Sequence, residues 1–553
     1  MTTPTLPKYL WVYIFNKFFN IYHDIKGYSK IINRLRRVCT LFDELLLPRI
    51  PSKILMRITD KIHFTNLSQL APKLKSLLNI QFCVNSKTKD DFMNRSLIDD
   101  FINCVIIDTR FLPDIPQLPI KHPTINNIIY ILGNPTENQM KQMNSSSLYN
   151  QINSVTFQLE SDSNFDLSSY QTIIQSTSIT DVKLYGYRKF LTKLSISDLK
   201  RLNNLSSLTL YYVSISNNDF QQFSVHCHSL EKLSIDSIRL ETRDYTSELF
   251  VKQLSNIKSL KSLKFHNYGT ELFIDSLVGL INSLHLLHHL SISCALKPLK
   301  ECKVQPQPIG NQNLQDFEFF CQTKVLYSIY ELWNVKSSLN EIQVDRQTIL
   351  NLYNTNHCHR DCEILKFYID NDDDLSLLPL IYMPNLTSLT IYLNQVHITT
   401  EIEDFKNLSK VLEDKNIENL KIGTKSNFND LMEFLSTAKV KNISFQIRHV
   451  MLEPLLNSIL KNSHLCSVKV KLYKHCYNSE TINNLCRGVI TILNSNHNIH
   501  TISFPAPVKS LLDDTTLADF EECIKSKYQR IKKLNIENKI IHNLLDHYLI
   551  DHR

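Results

Sequence analysis

Glycine is scarce in this chain: eight residues in 553, at positions 27, 133, 186, 269, 279, 310, 423 and 488. None lies within nine residues of another. Neither G-x-G-x-x-G nor G-x-x-x-x-G-K-[ST] can therefore be written anywhere, which excludes backbone phosphate cradles of those two kinds. H-E-x-x-H and G-x-S-x-G are also absent, removing the common zincin and nucleophile-elbow signatures. No apolar run reaches the roughly 18 residues that crossing a bilayer requires. The stretch from Tyr9 to Phe19 comes nearest to a signal core, but Lys17 interrupts it and no small-residue cleavage site follows, so it reads as a helix of the folded protein. Thirteen cysteines are scattered singly rather than in framework pairs. That is the pattern of a reduced, intracellular chain, cytoplasmic or nuclear and without a membrane. Charge is modest too, 61 basic against 54 acidic residues for a net of +7, and no dense Lys/Arg run marks a nucleic-acid footprint.

What the chain does have is a recurring phrase, Leu-x-x-Leu-x-Leu. It stands as Leu205-x-x-Leu208-x-Leu210, Leu230-x-x-Leu233-x-Ile235, Leu260-x-x-Leu263-x-Phe265, Leu287-x-x-Leu290-x-Ile292, Leu386-x-x-Leu389-x-Ile391 and Ile531-x-x-Leu534-x-Ile536. With looser apolar members admitted it returns every 27 residues or so, giving about 17–18 irregular repeats. Leu191-x-x-Leu194-x-Ile196 falls out of phase with its neighbours. Within a phrase, alternation puts Leu208 and Leu210 on one face of a short strand and Ser207, Thr209 and Tyr211 on the other. Helical spacing follows, as in Leu272, Phe273, Leu277, Leu280 and Leu284 before the strand at Leu287. Strands and thicker helices stack only with curvature, so strands are expected to line the inside of an arc.

These phrases resemble the leucine-rich repeat family, in its helix-backed variety, over residues 61 to 553. The resemblance implies an α/β solenoid that binds other proteins along its concave strand face. Tyr211, His266, Phe320, Tyr368 and Tyr392 are the candidate contacts there, among polar positions such as Lys232, Asp236, Glu341, Lys366 and Lys469. The chain departs from the family's fuller motif at the ninth position, which carries Val213, Ile238 and Ala295 in three strong repeats and Asn394 in one.

A second signal precedes the array. Leu6-Pro7-Lys8-Tyr9-Leu10 opens an apolar stripe through Ile14 and Phe15, and a later stripe carries Val38, Cys39, Phe42 and Leu45. Proline is favoured at a helix start, and short helices with wide apolar sides cannot bury themselves in so small a unit. The spacing resembles an F-box, so residues 1 to 60 are expected to form a small all-α unit. That resemblance implies docking on the Skp adaptor of a cullin–RING ubiquitin ligase, with Leu6, Pro7, Leu10, Ile14, Val38 and Phe42 as adaptor contacts. Phe42 stands where tryptophan is commoner, and the connection around His23 to Ser29 is longer than usual. A plain helical cap for the first repeat is the other reading of the segment.

His357-Cys358-His359-Arg360-Asp361-Cys362 is the densest cluster of possible metal ligands, but no second pair completes a zinc site and Cys362 opens a repeat phrase. No metal, cofactor or catalytic residue is assigned. Pro298 to Asn313 contains three prolines and cannot be an ordinary return helix. The sequence thus points to a non-catalytic substrate receptor of an SCF-type ligase that holds an unknown protein target. The alternative is a leucine-rich repeat scaffold or regulator with no ubiquitin role.

Overall fold

The computed structural model describes residues 54–58, 78–90, 102–115, 125–145, 151–159, 165–186, 192–195, 204–240, 247–297, 307–319, 329–345, 348–352, 358–369, 383–393, 408–423, 429–447, 452–472, 479–504, 513–536 and 541–545, with short breaks inside some of these ranges. The adaptor-contact candidates Leu6, Pro7, Leu10, Ile14, Val38 and Phe42 lie outside them, as does Phe320. The chain divides into two compact units: residues 1–295 with 318–321, and residues 296–317 with 322–553.

In the first unit, strands follow one another across a single sheet: β1 (Ile54–Ile58), β2 (Leu78–Val84), β3 (Ile102–Asp108), β4 (Asn127–Leu132) and β5 (Ser154–Leu159). After a short β6 (Phe165–Asp166) the sheet continues through β7 (Asp181–Tyr185). Then come β8 (Thr192–Ser195), β9 (Ser207–Tyr211), β10 (Val213–Ile215), β11 (Lys232–Asp236), β12 (Arg239–Leu240), β13 (Ser262–Phe273) and β14 (His289–Lys297). The pairings β1–β2 and those linking β5, β7, β9, β11 and β13 are parallel and in register. A parallel neighbour demands a crossover, and helices supply it: α1 (Glu137–Asn144), α2 (Gln171–Ile174), α3 (Asn217–His226), α4 (Ser247–Leu254) and α5 (Ile274–Ser283).

The repeat phrase explains the packing. Leu205, Leu208 and Leu210 are buried, as are Leu230, Leu233 and Ile235 one repeat on, and each such side chain contributes roughly 1.5–3 kcal/mol. Behind them Phe220 of α3 stacks on Phe250 of α4 at 4.7 Å, and Phe250 meets Phe265 of β13 at 5.1 Å. Helix starts are fixed locally. Thr136 Oγ1 accepts the Gln139 N–H while Gln139 Oε1 accepts the Thr136 N–H, a reciprocal cap on α1. The same Gln139 amide donates to the carbonyls of Thr109 and Leu112, joining one repeat to the one before.

A second, four-stranded sheet runs β6, β8, β10, β12, also parallel. The out-of-phase Leu191-x-x-Leu194-x-Ile196 belongs here: it holds β8, whose Leu194 pairs with Phe165 and Ile215. It also accounts for Val213 at the ninth position, because Val213 begins β10. Between the two sheets the backbone turns through left-handed residues, Tyr212 (φ 52°) and Ser237 (φ 53°), one repeat apart. Gly186 holds the same place after β7. A Cβ there would sit 2.0 Å from the Tyr212 carbonyl oxygen, so the close approach admits no side chain.

β15 (Asp316–Phe319) is divided between the units. The second unit's sheet runs β16 (Glu341–Asp345), β17 (Ile364–Ile369), β18 (Ser388–Leu393), β19 (Asn419–Gly423), β20 (Asn442–Ile447), β21 (Ser467–Leu472), β22 (Thr501–Phe504) and β23 (Lys533–Ile536), every neighbouring pair parallel. Its helices are α6 (Asn429–Thr437), α7 (Leu452–Lys461), α8 (Ser479–Ser495) and α9 (Asp514–Lys527). Gly488 lets α8 approach Leu456 of α7. Residues 307–313 carry no helix; Ile309 is fully buried and forms a parallel bridge with Trp333.

Asparagines stitch this unit's turns. Asn462 is buried; its amide donates to the carbonyls of Leu435 and Ala438, and its oxygen accepts the N–H groups of His464 and Leu465. One repeat later the Asn496 amide donates to the Asn462 carbonyl at 2.7 Å, and its oxygen accepts the Asn498 N–H. Nine cysteines among the described residues are free thiols, seven of them buried. Burial pushes Cys227, Cys362 and Cys486 up to about 12.

Candidate functional site

On β2 to β4 both faces of the sheet are apolar, with Cys83, Cys104, Ile106 and Ile131 forming a buried cluster opposite Phe82, Val105 and Tyr130; from β5 onward one face is buried and the other carries the polar letters of each repeat. In-register parallel strands set like positions side by side at about 4.8 Å, which turns each polar letter into a row. In the first unit the last letter gives Tyr185, Tyr211, Asp236 and His266 on β7, β9, β11 and β13. Tyr211 lies 5.9 Å from Tyr185 and edge-on to Tyr212 at 4.4 Å. In the second unit the same letter gives Asp345, Tyr368, Tyr392 and Gly423 on β16 to β19. Tyr368 and Tyr392 are stacked at 4.6 Å with 17° between their planes.

The candidates Tyr211 and His266 thus share one row, and Tyr368 and Tyr392 share another. Tyr185, Tyr212, Ser291 and Lys421 join them without having been singled out from the sequence. Tyr185 was legible by position, since it follows Ile179-x-x-Val182-x-Leu184 as Tyr211 follows its own phrase. Tyr212 was not, because nothing in the alternation announces a left-handed turn. The Lys421 ammonium lies 5.4 Å from the Tyr392 ring centre.

Electrostatics differ along the rows. Lys183 pairs with Asp181 at 3.0 Å, Lys366 pairs with Glu341, and Asp236 accepts the Ser237 hydroxyl at 2.8 Å. Burial, then the neighbouring Tyr392 and Glu341, push the Tyr368 phenol up to about 12, so it stays neutral and able to donate. Burial holds the His266 imidazole below its ordinary value, helped by Lys264 and opposed by Asp236 and Glu318. His266 therefore stands neutral at neutral pH.

Ser291 Oγ lies 3.0 Å from His266 Nε2, and Asp236 Oδ2 lies 3.7 Å from Nδ1. The order is that of a hydrolase relay, but the acid contact is too long for a hydrogen bond. Strand N–H groups in a parallel ladder are committed to neighbouring carbonyls. The three side chains give this end of the row its shape and polarity.

Cys358, His359 and Cys362 of the histidine–cysteine cluster each meet backbone carbonyls. His359 Nε2 is 2.8 Å from the Tyr330 carbonyl, the Cys358 thiol donates to the Trp333 carbonyl at 3.2 Å, and Cys362 Sγ lies 3.1 Å from the Asn340 carbonyl and 3.0 Å from that of Ile364, with one proton to donate to either. No group of three possible ligands converges among the described residues.

No protein-family profile matches the sequence, and no curated protein does. Among solved structures, the fold is similar to a leucine-rich repeat protein of Leptospira interrogans, 11% identical, covering 80% of this chain and 98% of that one with a TM-score of 0.34. It is also similar to a leucine-rich repeat-containing protein of Legionella pneumophila, 12% identical, covering 72% and 96% with a TM-score of 0.24. The α/β repeat architecture rests on the chain's own ladders. No helix among the described residues is long and apolar enough to cross a membrane.

Proposed function

We propose that this chain is a non-catalytic receptor: its strand faces hold a target protein, and its first 60 residues dock on a Skp-type adaptor that brings cullin and RING subunits. The observation that carries the receptor half is the tyrosine row, with paired rings at the same letter of the repeat in each unit. Tyrosine offers large contact area at small entropic cost, which is why it anchors protein interfaces. The adaptor half is supported by the sequence alone, through Leu6, Pro7, Leu10, Ile14, Val38 and Phe42. In this reading the chain contributes proximity, and the ubiquitin chemistry belongs to its partners.

Two measurements test the halves separately. Chemical crosslinking and mass spectrometry on cells with ligase activity blocked names the bound proteins; Tyr368→Ala/Tyr392→Ala and Tyr185→Ala/Tyr211→Ala are expected to lose them while keeping the wild-type circular dichroism spectrum. Undiminished recovery by both variants overturns the receptor face. Binding of purified Skp adaptor is expected for the wild type and lost in Pro7→Ala/Ile14→Asp. Equal binding by the two, or none by either, removes the ubiquitin arm and leaves a scaffold.

A further inference from the structure

The middle polar letter of the second unit forms a row in which lysines alternate with hydroxyls: Lys366, Thr390, Lys421, Ser444, Lys469 and Ser503 on β17 to β22. Carboxylates are confined to one end. Glu341 and Asp345 sit on β16, where Glu341 pairs with Lys366 and Asp345 accepts the Thr348 N–H. From β18 to β23 the register puts no aspartate or glutamate at any face position. Lys421 and Lys469 are exposed, and neither has a carboxylate partner among the described residues. The first unit is arranged otherwise, with Asp181 beside Lys183 and Asp236 beside His266.

We propose that this face takes an acidic, extended segment of a partner protein, with an aromatic side chain laid on the Tyr368–Tyr392 stack and carboxylates set on Lys421 and Lys469. The proposal rests on the receptor reading above and gives the partner its chemistry. Two strand steps put Lys421 and Lys469 on the order of 9.6 Å apart, and an extended peptide covers that in about three residues. Lys421 and Lys469, without carboxylate partners among the described residues, steer an anionic segment and set its register, while the aromatic anchor supplies contact area. Single-stranded nucleic acid fits less well. Successive bases need successive aromatic platforms, but the tyrosine row ends at Gly423 while the lysines run on.

The test uses the full chain and a fluorescein-labelled peptide of one phenylalanine followed by glutamates, with its glutamine counterpart and an oligothymidylate as comparison probes. Anisotropy is expected to show saturable, salt-sensitive binding of the glutamate peptide. Lys421→Glu/Lys469→Glu should weaken it by about ten-fold or more, with thermal unfolding unchanged because both side chains are exposed. Lys252→Glu/Lys258→Glu, on exposed positions of the first unit away from its strand face, should leave it unchanged. Equal binding of the glutamine peptide, an equal loss in the first-unit variant, no saturable binding, or tighter binding of the oligothymidylate would each overturn the proposal. The receptor reading fails differently. If partners lost in Tyr368→Ala/Tyr392→Ala still bind Lys421→Glu/Lys469→Glu in full, the face stands and the acidic segment falls.

Discussion

The two units run the same strand-and-helix repeat but join successive repeats in different ways. Three residues before the phrase, the first unit places Cys227, Ile257 and Leu284, all buried and apolar. The second places Asn311, His359, Asn462 and Asn496, all buried and polar. Ser176 in the first unit and Met383 in the second are buried exceptions, and Lys336, Thr437 and Tyr528 of the second unit stand exposed at that place. In the first unit the spine holds by area removed from water, and in the second by side chains that satisfy carbonyls at the end of one repeat and amides at the start of the next. An apolar joint tolerates changes of shape. A hydrogen-bonded joint fixes register, but leaves buried groups unsatisfied if its partner is removed.

The largest effect is expected where the two solutions are exchanged the wrong way. Leu284→Asn replaces a fully buried leucine with an amide among apolar neighbours, and should cost about 4 kcal/mol in urea unfolding. If it costs under about 1 kcal/mol, the spine of the first unit is not apolar in the sense argued. Gly186→Ala comes next, at about 3 kcal/mol, because the new methyl meets the Tyr212 backbone and not a movable side chain. Asn462→Leu should cost about 2–3 kcal/mol by leaving the Leu435 and Ala438 carbonyls and two N–H groups unpaired. A neutral result there would erase the contrast between the units.

The smallest effect is a matter of pH. His266 has a folded-state pKa below its unfolded value, so the folded protein favours the neutral ring. The stability this brings is present above the ordinary histidine range and is lost as pH falls through that range toward the lowered folded value. Comparing wild type with His266→Gln between pH 7.5 and 5 should show a flatter slope in the variant; parallel curves would remove the assignment.

The strands were readable because each phrase fixes two periodicities at once: Leu208 and Leu210 declare the buried face, and Ser207, Thr209 and Tyr211 declare the other. The row contents followed, which is how Tyr211, His266, Tyr368 and Tyr392 could be named as face residues. The second sheet could not be read the same way, because strands as short as Phe165–Asp166 and Arg239–Leu240 are too brief to alternate. The asparagine joints were missed for a positional reason. Polar stitching was sought after the strand, where Val213 and Ala295 stand, while Asn462 and Asn496 do that work before it. Pairing of Tyr185 with Tyr211 needed the register, which no single repeat contains.

The buried thiols turn this architecture into its own recorder. Cys227, Cys294, Cys362, Cys486 and Cys523 sit in different repeats, each shut away from solvent, and a thiol reacts with an alkylating reagent only after the repeat around it has opened. The order in which they become blocked, followed by peptide mass mapping, would write out where along the chain the molecule first loosens, with no label introduced.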